Sequence, residues 1–209
     1  MTHDKLMRVV DWVSKLAFLN ILWLLFTALG LFVFGFFPAT VAMFATIRSF
    51  MREDISIPLF QTFWSHFKAN FVRSLGYGLL TTVIIMIGAV DIVFIQEVDA
   101  LNSTLVHIPI YLFLIFSSLT LLYLFPVYVH VDWPFFQTIK QAFLIMLIHP
   151  IQTLLMVISI AMSLYLMTFI PGLLFFFGGS FIALLISSIT QHIFDTIHQQ
   201  TSNHPASES

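Results

Sequence analysis

The residues of this chain most able to do chemistry are its eight histidines. Neutral imidazole is a common metal ligand, and two histidines at i, i+4 with a carboxylate partner make a zinc centre on one helix face. His3, His66, His107, His130, His149, His192, His198 and His204 include no such pair. His192 and His198 stand six apart, which places them on different faces of a helix. They read as structural or solvated, and no metal centre is expected. The glycines lack the Lys-Ser/Thr or strand context of a phosphate-binding loop. The absence of Cys excludes disulfides, thiolate ligands and Cys nucleophiles. No paired acid and base and no Ser-His-Asp constellation stands out, so neither an enzyme nor a cofactor is expected.

Two other polar residues draw notice because they interrupt apolar runs. Asp91 is ionisable, and such a group inside a bilayer is costly enough to raise a functional hypothesis. It lies close to the polar Gln96, however, so anchoring at the headgroups competes with a cation or proton role. Asn20 sits in the first apolar run, where helix–helix hydrogen bonding is a simpler expectation than ligand contact.

The elements that must position these residues follow from composition. Of 209 residues, 59% are hydrophobic and 9% charged. Soluble domains carry about 25% charged residues, so this chain cannot cover a water-facing surface and its solvent must largely be lipid. The apolar runs follow one another without a soluble insert. Residues 1–195 therefore read as one integral membrane domain, and residues 196–209 as a loose polar tail. The basic N-terminus mimics a signal peptide, but its apolar run is too long and lacks a small-x-small cleavage site, which predicts a retained anchor.

The uncharged run Leu16–Ile47 is too long for one simple span and short for two, since a spanning helix needs about 20 apolar residues. Gly35-Phe36-Phe37-Pro38 is the expected turn, with Pro38 opening a short second segment, Ala39–Met51, tilted or re-entrant. Later spans are expected at Leu75–Ile95, Leu105–His130, Ile151–Ile170 and Leu173–Phe194, the last two joined by Pro171-Gly172. Two stretches, Ser56–Ser74 and Asp132–Ile148, show apolar residues at helical spacing and read as amphipathic helices lying in the interface. They share a Pro-x-Phe-Gln-Thr-like pattern that raises the possibility of an internal repeat. The fold class is thus all-α: a multi-pass bundle of about six membrane segments plus two interfacial helices. Phe63, Trp64 and Phe67 with Arg48, Arg52, Lys68 and Arg73 form a candidate surface for a partner protein or for anionic lipid headgroups.

Charge placement chooses the topology. If Leu16–Ile47 crosses twice, all eight basic residues, from Lys5 to Lys140, fall on one side. A single crossing splits them five against three. The positive-inside rule favours the double crossing and puts both termini in the cytoplasm.

FPATVAMFATIRSFMRE at Phe37–Glu53, FWSHFKANF at Phe63–Phe71 and LFPVYVHVDWPFFQTIKQAF at Leu124–Phe143 resemble the bacterial YesL-like family of integral membrane proteins. The resemblance covers most of residues 8–195, and its distinctive part is the Phe-Pro-Ala-Thr patch. It implies a bacterial cell-membrane protein with an accessory or permease-like role in carbohydrate uptake, and it supplies no catalytic residues. The expected partners are the bilayer and a sugar transporter or other protein, not nucleic acid. The alternative is a membrane scaffold or regulator that docks a cytoplasmic partner through the two amphipathic helices.

Overall fold

The computed structural model describes residues 2–52, 57–97, 104–131 and 133–203. These form α1 (Thr2–Leu29), α2 (Val33–Arg52), α3 (Leu59–Glu97), α4 (Thr104–His130), α5 (Phe135–Ile148), α6 (Pro150–Thr168) and α7 (Pro171–Asn203). No strand occurs among the described residues. Six of the helices, all but α5, are long and apolar enough to cross a membrane. Their outer faces carry exposed Leu79, Ile85, Met86, Val90, Ile151 and Leu154. Soluble monomers rarely expose apolar surface on this scale, whereas lipid tails satisfy it.

α1 and α2 form an antiparallel hairpin, with Trp12 near the start of α1 meeting Phe50 near the end of α2, ring centroids 5.2 Å apart. The chain turns at residues 30–32, not at Gly35–Pro38 as expected. Leu31 N–H donates to Ala28 O and Phe32 N–H to Thr27 O, the paired bonds of a Schellman C-cap. Leu31 and Phe32 adopt φ of 54° and 63°, left-handed conformations that usually call for glycine. The nearby glycines serve contact instead: a Cβ on Gly35 would lie 2.4 Å from Phe26 O, and one on Gly30 2.3 Å from the Gly35 Cα. Pro38 falls inside α2 and does not open it. The earlier turn gives α2 its 20 residues, about 30 Å of rise, which matches a hydrocarbon core of about 30 Å. The second segment is therefore a full span in length, not a short or re-entrant one.

α2 is the most enclosed helix and packs against α1, α3, α4 and α7. Ala39, Ala42 and Ala45 are buried on it beside Met43, Phe44 and Ile47, small residues letting neighbouring backbones approach. α3 runs unbroken for 39 residues. Of the expected interfacial helix Ser56–Ser74, the part from Leu59 on is thus not separate but the first half of a span-containing helix, and Ser56 lies outside the described residues. Pro58 sits just ahead of it, and nothing between Leu59 and Glu97 forces a stop. Gly76 and Gly78 lie within it, where Phe135 and Phe37 pack against the space a Cβ would take. The other expected amphipathic stretch is a distinct helix, α5, bounded by Pro134 at its N-cap and His149-Pro150 at its end. The two Pro-led stretches thus share a start but not an architecture. Pro171 and Gly172, expected as the turn between the last two spans, instead form the first turn of α7, and the bend falls at Phe169-Ile170; α7 continues to Asn203, so the first residues of the polar tail are helical.

Candidate functional site

Two clusters of described polar side chains stand out. The first is a clamp between α1 and α7. Asn20, 1% exposed, accepts hydrogen bonds at Oδ1 from the N–H groups of Gly179 and Ser180, both 2.9 Å, and donates from Nδ2 to Phe175 O at 2.6 Å. A regular helix would pair Gly179 N–H with Phe175 O directly. The Asn20 carboxamide engages both. A Cβ on Gly179 would sit 3.1 Å from Asn20 Oδ1, so glycine is what admits the amide. One turn on, Trp23 Nε1 donates to Thr40 Oγ1, which donates to Phe36 O. The side chain of Asp91, the other polar candidate in an apolar run, lies outside the described residues.

The second place is a cavity of about 310 Å³. It opens between the C-terminal ends of α2 and α4 and the polar half of α3. Arg48, Ser49 and Arg52 reach it from α2, His66 and Asn70 from α3, and Tyr128 and His130 from α4. Each local feature has a cause. The carbonyls at the end of α4 have no intrahelical donor, and Arg48 supplies one, donating from Nη1 to Val129 O at 2.6 Å and from Nη2 to His130 O at 3.3 Å. His130 donates from Nδ1 to Pro126 O at 2.8 Å, and its ring stacks on Phe194 of α7. Asn70 accepts from the Tyr128 hydroxyl at 2.7 Å and donates to His66 O at 3.0 Å. Arg73 lies over the Tyr128 ring and donates to Trp133 O. Among the described residues that line this cavity none is acidic.

The candidate surface read from the sequence is split by the fold. Arg48 and Arg52 line the cavity. Phe63 (0% exposed) and Phe67 (9%) do not present a face to a partner: their rings pack on Phe26 of α1, at centroid distances of 5.3 and 4.9 Å. Their helical spacing marks a buried stripe, which sequence periodicity cannot distinguish from a lipid- or partner-facing one. Trp64 stays at the edge with Lys68 Nζ 4.8 Å from its ring centroid. His66 and His130 read from the sequence as structural or solvated, and neither Asn70 nor Tyr128 stands out there. His66 and Asn70 are one helical turn apart, but their cavity partners lie on other helices. No group of three or more metal-ligating side chains forms among the described residues.

Comparison with known proteins places this architecture. Residues 16–92 match the family described as "Protein of unknown function, DUF624". Three Bacillus subtilis proteins are similar along most of their length. "Uncharacterized protein YteU" is 34% identical, covering 88% of this chain and 84% of its own. "Uncharacterized protein YesL" is 33% identical, covering 90% and 89%, and "Uncharacterized protein YesV" is 33% identical, covering 88% of each. No solved structure matches. With these relatives aligned over nearly the whole chain, and with six helices of membrane-spanning length, the protein belongs to the YesL-like, DUF624 family.

Proposed function

We propose that this protein is a non-enzymatic component of carbohydrate uptake in a bacterial cell membrane, an accessory to a permease and not itself the carrier. The observation that carries the accessory reading is where the described polar groups lie. A carrier needs a polar, water-accessible site near the bilayer midplane. The space between α1, α2, α4 and α7 is lined almost wholly by apolar side chains: Phe36, Met43, Phe44, Phe125 and Ile186 around Trp23 and Thr40. Asn20 has its hydrogen bonds taken up by α7. The polar cavity is at one end of the bundle, where the basic residues of α2 reach it. By the positive-inside rule that end faces the cytoplasm, with both termini. The carbohydrate part of the reading comes from kinship with the YesL-like family.

Two measurements test the parts separately. Cells lacking the gene should take up at least one oligosaccharide of a labelled panel severalfold more slowly. Unchanged uptake across the panel removes the carbohydrate reading. Proteoliposomes holding only the purified protein should pass none of those sugars, and saturable flux would make it a carrier.

A further inference from the structure

The geometry points to a binding site for a phosphate group in the cavity between the ends of α2 and α4 and the polar half of α3. The inference concerns chemistry alone and holds whether or not the uptake reading does.

Four side chains able to carry positive charge border one space: Arg48, Arg52, His66 and His130. Arg48 has an evident structural task, since it caps α4. That task occupies Nη1 and Nη2 and leaves Nε buried with no hydrogen-bond partner. His130 is spent at Nδ1, and its buried, unpartnered Nε2 becomes a donor to an anion once the ring is protonated. A buried donor without an acceptor costs free energy, and a guanidinium costs more. Capping does not account for Arg52 and His66, which border the same space. Like charges brought to the wall of one cavity repel, and a bound anion offsets that cost. Asp195 comes one residue after the Phe194 ring that stacks on His130, but it is exposed and does not line the cavity.

The shape of the donor set favours phosphate over a planar carboxylate. Donors approach from α2, α3 and α4, so they surround a tetrahedral oxyanion instead of forming one flat fork. Ser49 and Asn70 add neutral polar groups to the wall. The phosphate can belong to a small soluble molecule or to the headgroup of an anionic lipid at the same end of the bundle.

The test uses the full chain in nanodiscs of phosphatidylcholine, with inorganic phosphate as the probe and chloride at equal ionic strength as control. Phosphate should raise the unfolding temperature saturably and chloride should not. Arg52→Gln, at an exposed position, should keep the fold and weaken the apparent affinity by about tenfold. Ser49→Glu, which puts a carboxylate in the wall, should abolish the response. In nanodiscs of equimolar phosphatidylcholine and phosphatidylglycerol, an unchanged phosphate response assigns the site to a soluble ligand. A response already saturated by the lipid, and restored by Ser49→Glu to the unliganded melting temperature, assigns it to a headgroup. The proposal is overturned if phosphate and phosphatidylglycerol both match their controls. It is equally overturned if both variants, folded by circular dichroism, respond as the parent does.

Discussion

The side chain with most at stake is Asn20. In lipid, an amide that loses its partners has no water to fall back on. Replacing it by leucine removes the bonds that Gly179 N–H, Ser180 N–H and the Phe175 carbonyl make to the amide and sets an apolar group against them. Asn20→Leu should therefore destabilise the bundle by about 1–2 kcal/mol, read by denaturant unfolding in micelles. Gly179→Ala should act through the same clamp. Its Cβ would lie 3.1 Å from both Asn20 Oδ1 and Trp23 Cε3, and a loss of about 1 kcal/mol is expected in the same assay. If the two substitutions together cost the sum of each alone, they do not share one contact. An interhelical bond for Asn20 was the simpler expectation from its place in an apolar run. Its partner helix was not legible, because a polar residue announces its need for a partner but not which of several apolar helices supplies it. The same limit hid the cavity: Arg48 is separated from Val129 by 81 residues of chain.

At the scale of helices, apolar length alone located the spans. α4, α6 and α7 begin within two residues of the expected starts at Leu105, Ile151 and Leu173. The turn between α1 and α2 was misplaced because proline is a strong cue and the left-handed pair Leu31-Phe32 gives none. Gly30 and Gly35 looked like turn residues, yet they bring two backbones into contact. Two opposite outcomes follow. Leu31→Gly should stabilise the hairpin by about 1 kcal/mol, since a β-carbon is unfavourable at φ 54°. Gly35→Ala should weaken it by more than that, because its Cβ would meet the Phe26 and Thr27 carbonyls at 2.4 and 2.6 Å. Unfolding of both variants beside the parent checks the sign of each. The merging of Leu59–Ser74 with the following span into one helix, α3, is unreadable for a related reason. An amphipathic pattern giving way to an apolar one marks a change of surroundings along the helix, not a break in its hydrogen bonding.

For the molecule as a whole, the double crossing of α1 and α2 decides everything else. It returns Arg48 and Arg52 to the end from which α1 starts, and from there the cavity is built at one end of an apolar bundle. Charge placement in the sequence favours this hairpin, and α1 and α2 pair in that form. The side of a cell membrane that the basic end occupies is part of the proposal, and a chain without cysteine is well suited to testing it. Single cysteines placed at Met7, Leu31, Gln61 and Gly172 report the start of α1, the first turn, the start of α3 and the start of α7. A membrane-impermeant maleimide on intact cells should label the Leu31 and Gly172 positions. It should label Met7 and Gln61 only after permeabilisation. Labelling of Met7 and Gln61 from opposite sides would mean that the first apolar run crosses once, and would contradict the one-ended placement of positive charge.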